Sequence, residues 1–379
     1  MAGLYIHIPF CKQACHYCDF HFSTSLQLLT PLVESIILEM ELRKDYLKGE
    51  SVDSVYFGGG TPSLLPSAFL EQILDQVACI FPGKKLEITL EANPDDLNPN
   101  SLATWKSLGI DRLSLGIQSF QDEILAAYNR AHNSQQAKEA IHLGRSAGFE
   151  KFSIDLIYGF PHTDHSLWKK DLEEALLLDP GHLSAYSLTL EPKTTFGNWA
   201  KKGKFIPAEE EFVAQQFEWL QEQCDQAGYL QYEISNFSRP DQAAIHNSNY
   251  WKRIPYLGIG PSAHSFNGNT RGYNPPSNPN YIKALAKGTS PFVVEFLEKE
   301  ELINEEILTS LRTSWGLNTA SLADRYQLDL FQIKEASLTK LTSLGMIHVE
   351  GKTLTLTRKG KLLADSIAAE IFVEPHDLL

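Results

Sequence analysis

The sequence predicts an α/β protein: a partial (β/α)6 barrel of parallel strands, open on one side, followed by a small winged-helix-like domain. Three observations predict it. Short β-rich runs alternate with helical stretches over residues 4–190. Polar or glycine-rich segments recur directly after those runs, where a barrel of parallel strands gathers its functional residues. From about residue 300 the composition shifts to helices closed by a hairpin.

The strand candidates are 4–8, 53–57, 86–91, 111–117, 151–157 and 183–190. Helix candidates lie between them at 30–47, 67–80, 100–108, 122–147 and 165–178, with Asn100 and Ser134 offering cap chemistry. Such alternation implies a parallel sheet with right-handed crossovers. SLGIDRLSLGIQS and SAGFEKFSIDLIYGF are two such units entered through a glycine turn, echoes of one supersecondary unit and not a solenoid repeat. A further helix over 208–227 precedes the strand-like LQYEISNF. Residues 236–280, rich in Pro, Gly and Asn, read as irregular, and loops of that length are often functional. IHVEG and KTLTLT form a hairpin turning at Glu350–Gly351. The division expected is a barrel over 1–235, an irregular linker over 236–295 and the small domain over 296–379.

A chain of 379 residues suits one large domain and a smaller one. The net charge of −14 excludes a general nucleic-acid binder or a polybasic membrane binder. Residues 296–379 hold 9 Lys+Arg against 13 Asp+Glu, so the winged-helix pattern points to a cover or partner-docking module and away from DNA. MAGLYIHIPF lacks a basic segment and a long apolar run, so a cytoplasmic protein is expected. Of five cysteines, three crowd into residues 11–18, a pattern of reduced thiols binding metal and not of a disulfide framework. Cys79 and Cys224 fall in helical stretches, and Cys224 aligns with Val213, Phe217 and Leu220 as a core residue.

Cys11-x3-Cys15-x2-Cys18 on a loop offers three thiolates to one centre. Three ligands for four irons leave one iron open to a small molecule. The alternative is a structural zinc site completed by His7, His16 or His21. Gly58, Gly59 and Gly60 follow the second strand and permit close backbone approach to a ligand, or only a tight turn, and Thr61 adds a hydroxyl. Glu91 follows the third strand, as a partner for a ligand ammonium or ribose hydroxyl or as a surface acid. Gln118 follows the fourth.

The CxxxCxxC pattern after a first strand resembles the radical S-adenosylmethionine (SAM) family. With YIHIPFC, CDF, YFGGGTPS, EANP, LSLGIQS and DLIYGFP, essentially the whole chain is similar to its oxygen-independent coproporphyrinogen III oxidase branch. The resemblance implies a TIM-like partial barrel, a [4Fe–4S] cluster on Cys11, Cys15 and Cys18, and SAM on the open iron. Gly59, Gly60 and Thr61 would face the SAM amino group, and Tyr5, Tyr17, Glu91, Gln118, Arg130 and Asp155 fall at SAM-contacting positions. A surface salt bridge is the other reading of Arg130.

Two departures separate the chain from the oxidase. Phe20 stands where the oxidase has a further cysteine, and the cluster motif begins at residue 11 with no substrate-holding arm before it. Both features resemble the heme-chaperone branch, as does His246-Asn247-Ser248-Asn249-Tyr250-Trp251, which matches HNxxYW. A histidine can ligate heme iron, and Tyr and Trp rings can pack on a porphyrin. An ordinary loop histidine among core aromatics, or ligation by His264 in PSAHS, are the alternatives. The resemblance implies heme as cargo, delivery to heme-requiring acceptors including membrane-bound respiratory enzymes, and a second copy of the chain as a further partner. The other function implied is a radical enzyme that decarboxylates coproporphyrinogen III.

Overall fold

The computed structural model describes residues 1–378. The first six strands are β1 (Ala2–Ile8), β2 (Val52–Gly59), β3 (Glu87–Ala92), β4 (Arg112–Gln118), β5 (Lys151–Tyr158) and β6 (His182–Ser187). Each pairs in parallel with the next, as helical crossovers require. β7 (Leu230–Glu233) and β8 (Asn236–Ser238) form an antiparallel pair beside β6. β9 (Tyr256–Ile259) lies parallel to β1 on its other side. β10 (His264–Phe266), β11 (Thr270–Tyr273) and β12 (Val293–Phe296) extend the sheet antiparallel from there. The order β12-β11-β10-β9-β1-β2-β3-β4-β5-β6-β8-β7 runs from edge to edge and does not close, so the barrel is partial, as expected.

The two-residue period of the strands divides their side chains by chemistry. Leu4, Ile6, Val55, Phe57, Leu90, Leu113, Leu115, Ile154 and Leu183 join Leu32, Ile36, Leu70, Ile73 and Leu102 of the helices in the main core. The alternate positions Tyr5, Tyr56, Thr89, Glu91, Ser114, Ser153, Asp155 and Ser184 line a cavity inside the barrel. The barrel is therefore hollow, and these polar side chains point into it.

Three readings of local structure need correction. The helix over 122–147 is two helices, Asp122–Ala127 and Ser134–Ser146, separated by a turn in which Asn129 is left-handed (φ 58°). The caps are Asn98 and Asn133, one or two residues before those expected: the Asn98 side chain accepts from Asn100 N and Ser101 N, and Pro99 opens the helix. The stretch 236–295 is not an irregular linker; it holds β8 to β11, the start of β12 and two helices. Strands of three or four residues broken by Gly, Pro and Asn leave no periodicity long enough to read.

At the C-terminus, β13 (Leu317–Asn318), β14 (Ile347–Glu350) and β15 (Thr353–Leu356) form a small sheet in the order β13-β15-β14, with the hairpin turning at Gly351. Helices Lys299–Leu311, Thr319–Tyr326, Glu335–Ser343 and Ala364–Glu370 pack on it around a second core of Ile303, Ile307, Leu322 and Leu338. This unit covers the β7 edge, where Ser314 N donates to Tyr232 O (2.9 Å) and Ile234 N to Arg312 O (3.0 Å). Cys224 is buried, as expected, and Cys79 exposed. Among the described residues no helix is long and apolar enough to cross a membrane.

Candidate cofactor and ligand site

The cavity encloses about 580 Å³. Cys11, Cys15, Cys18, Tyr5, Tyr17, Gly59, Gly60, Thr61, Glu91, Gln118, Arg130, Asp155 and His246 line it, whereas Gly58 and His264 do not. The cysteines, Thr61 and Arg130 lie at the C-terminal ends of the strands, and His246 lies at the opposite end.

The cysteine loop is fastened at both ends. Cys11 N donates to Ser23 O (3.0 Å) and Ser23 N to Pro9 O (2.9 Å), which brings the two arms together. The glycine turn lies directly against it: Gly60 N donates to Ile8 O (2.9 Å) and Thr61 N to Phe10 O (2.7 Å). A Cβ on Gly60 would lie 2.6 Å from Phe10 O, so only glycine lets these backbones approach. Gly59 adopts φ 106°, and a Cβ there would meet the His7 ring at 2.5 Å. His7 Nε2 faces the carbonyl of His21 (3.0 Å), so it carries the proton, and Nδ1 accepts from the Tyr5 hydroxyl (3.1 Å). Burial lowers the His7 pKa to about 4 and keeps the ring neutral.

Glu91 and Asp155, two of the carboxyls that line the cavity, form no salt bridge among the described residues. Glu91 accepts from Tyr56 Oη (2.7 Å) and Gly59 N (3.2 Å), yet burial and the nearby Asp155 raise its pKa to about 7. Burial raises Asp155 to about 6, against the pull of Ser184 and Arg130. Glu91 is thus no surface acid. Arg130 makes no surface salt bridge either. Its guanidinium donates to Asn93 Oδ1 (2.6 Å) and Gly116 O (2.6 Å) and reaches Cys15 Sγ and Tyr17 Oη, both at 3.4 Å. Burial pushes the Cys11 thiol up and that of Cys18 to about 12, so their ionisation calls for further positive charge, as a metal cofactor provides.

The donor set fits an iron–sulfur cluster. Three cysteines share one cavity wall, and a cubane takes its thiolates on separate irons. Among the described residues no three His, Cys, Asp or Glu side chains converge tightly enough for a single metal ion. The zinc alternative also finds its histidines engaged elsewhere. His7 is bonded as above, His16 donates to Ala127 O (2.9 Å) and packs on Trp199, and His21 pairs with Asn278 Oδ1 (2.7 Å).

The HNxxYW segment forms the cavity floor. It opens the helix Ile245–Trp251, whose first amides, Ile245 N (3.0 Å) and His246 N (2.9 Å), donate to the Glu87 carboxylate. Glu87 is paired with buried Arg112 (2.9 Å), which also donates to Gln242 O (3.0 Å). His246 Nδ1 bonds Ser54 Oγ (2.9 Å) and Nε2 bonds Tyr250 Oη (3.0 Å), while Tyr56 stacks on the ring at 5.1 Å. Burial lowers the His246 pKa to about 3. Asn247 donates to Tyr232 Oη (2.9 Å), which also meets His182 (2.8 Å). The two aromatics of the motif part company: Tyr250 lines the cavity, whereas Trp251 lies under Arg312 of the C-terminal unit. His264 is exposed on β10 beside Tyr273, away from the cavity lining. Sequence reasoning missed Tyr56, Asn93, Arg112, Glu87, His182 and Ser184. The polar alternation in DSVYF, RLSLG, FSIDL and HLSAY was the signal that could have found several of them.

Known proteins share this fold and sequence pattern. Residues 5–172 match the radical SAM superfamily and residues 297–363 the HemN C-terminal domain. The fold resembles that of coproporphyrinogen III oxidase (HemN) from Escherichia coli, with a TM-score of 0.84 over 98% of this chain and 90% of that one at 23% identity. Fold and site together define a radical SAM protein, a superfamily that implies a [4Fe–4S] cluster and SAM. The chain is 35% identical to the heme chaperone HemW of Bacillus subtilis, covering 97% of this chain and 98% of the relative. It is 34% identical to that of Synechocystis, covering 99% and 93%, and 38% identical to that of E. coli over 69% of each. The chain belongs to the HemW heme-chaperone family.

Proposed function

We propose that this protein is a cytoplasmic heme chaperone. It binds heme and passes it to heme-requiring acceptors, respiratory enzymes among them, while holding a [4Fe–4S] cluster on Cys11, Cys15 and Cys18 and SAM beside it. The observation that carries the reading is the meeting of the three cysteines, the Gly59–Thr61 turn, Arg130 and two unpaired carboxyls in one cavity, in a chain 35% identical to a heme chaperone along its length. When bound, the cluster supplies an iron with a free coordination position. Glu91 and Asp155 offer the negative charge that the ammonium and sulfonium of SAM balance. Tyr5 and Gln118 border the same space, and the backbone of Gly59 and Gly60 keeps it narrow.

For heme, His246 is the ligand candidate that the HNxxYW motif supplies; His182 also lines the cavity. Coordination through His246 Nε2 requires its bond to Tyr250 to open, which leaves Nδ1 on Ser54 to hold the ring. The exposed Phe20, at the cavity edge in the position of an oxidase cysteine, supports cargo binding over coproporphyrinogen decarboxylation. The test is anaerobic reconstitution followed by heme titration and, separately, incubation of the reduced protein with SAM and coproporphyrinogen III. Stoichiometric heme uptake without protoporphyrinogen formation is expected; turnover to protoporphyrinogen would overturn the chaperone reading.

A further inference from the structure

Gln118 holds an unusual place. It ends β4 at a register irregularity and adopts a left-handed backbone (φ 69°), which is strained for a residue with a Cβ. Such a conformation persists only where the surroundings over-determine it. Among the groups that hold this turn, one side chain on another element fastens the three residues that follow. Asp171, on the helix Ser166–Leu178, is 1% exposed. Its carboxylate accepts from Ser119 Oγ (2.6 Å), Phe120 N (2.7 Å) and Gln121 Nε2 (3.0 Å), donors from the three residues that follow Gln118. Ser119 Oγ in turn accepts from Gln121 N (3.0 Å).

We propose that Asp171 is a positioning residue for the SAM site: it holds the chain after Gln118 so that the Gln118 side chain is delivered into the cavity. The inference rests on the reading of the cavity as a SAM site. Asp171 is absent from the cavity lining, so any effect it has on a ligand travels through the chain it fastens. Its burial among donors supports this role, since a carboxylate that accepts three hydrogen bonds fixes three donors at once.

The experiment measures SAM affinity by equilibrium dialysis on the anaerobically reconstituted full chain, with iron per chain and the urea midpoint recorded for each variant. Asp171→Ala is expected to weaken SAM binding about 10- to 100-fold with iron content unchanged, the scale of a misplacement near 1 Å. Asp171→Asn, which keeps the acceptor for Phe120 N, is expected to fall between it and the wild type, and it carries the test if the alanine variant does not fold. Gln118→Ala supplies the decisive comparison. If Asp171 acts through Gln118, adding an Asp171 substitution to Gln118→Ala costs little further affinity. Additive losses, or wild-type affinity in the Asp171 variants, would overturn the proposal. Failure of the wild type itself to bind SAM would instead overturn the reading of the cavity.

Discussion

Replacing Gly60 with alanine separates a cluster-bearing loop from an ordinary turn. The added Cβ would lie 2.6 Å from Phe10 O, 2.7 Å from Phe10 N and 2.8 Å from Ile8 O. All three are backbone atoms, so no side chain can swing aside. Ordinary contact begins near 3.4 Å, so the two backbones must separate by about 0.8 Å (3.4 minus 2.6). That displacement exceeds the roughly 0.5 Å within which a functional constellation must be held. It also stretches the bonds from Gly60 N to Ile8 O and from Thr61 N to Phe10 O, at the base of the segment carrying the cysteines. Overpacking of this kind costs about 1–3 kcal/mol. The expected result is a folded protein with a lowered urea midpoint that retains well under the wild-type iron and sulfide per chain after anaerobic reconstitution. Wild-type iron, sulfide and urea midpoint in Gly60→Ala would refute the argument that the glycine turn shapes the cysteine loop.

Other predictions follow from the same geometry. Glu87→Gln leaves Arg112 buried without a counter-charge and weakens the floor helix; the expected loss is about 3–5 kcal/mol in urea unfolding, and a loss below about 1 kcal/mol would contradict the role given to the pair. Glu91 and Asp155 have raised pKa values, about 7 and about 6, so the folded state binds protons more readily than the unfolded chain. Their contribution is fully present below the unfolded values near 4 and is lost as pH rises through about 6 to 7. The cofactor-free protein should lose stability across that window, and Glu91→Gln should flatten the profile; identical profiles for both proteins would count against it. His246→Ala should abolish the visible heme spectrum of axial histidine ligation, while an unchanged titration would remove His246 from consideration and direct the search to His264.

How much of this was legible depends on where the partners of each residue lie. Cys11 to Cys18 follow the first strand, and the glycine turn, Glu91 and Gln118 stand at the C-terminal ends of the next three, so strand–helix alternation alone placed them at one end of a barrel. The approach of Arg130 to Cys15 was not readable. It depends on a break in a helix that NRAHN marks with neither Gly nor Pro, and only the left-handed Asn129 turn brings the guanidinium over. His246 was singled out correctly as a cavity residue, but its surroundings were hidden. Ser54 and Glu87, which hold it, are 192 and 159 residues away in the chain. The short strands β9 to β12 escaped detection because an element of three or four residues is stabilised by the neighbours it completes, not by its own pattern.

No residue of the floor helix is fully exposed. His246, Asn247 and Tyr250 look into the chamber, while Trp251 and the two residues after it, Lys252 and Arg253, engage Arg312, Trp315 and Glu305 of the terminal unit. If heme is held as proposed, opening the Tyr250–His246 bond would load this seam, and by reciprocity a partner that clamps the seam would change heme affinity by the same factor. Seven residues, Ile245–Trp251, thus put the proposed heme ligand and the seam with the terminal unit on one short helix.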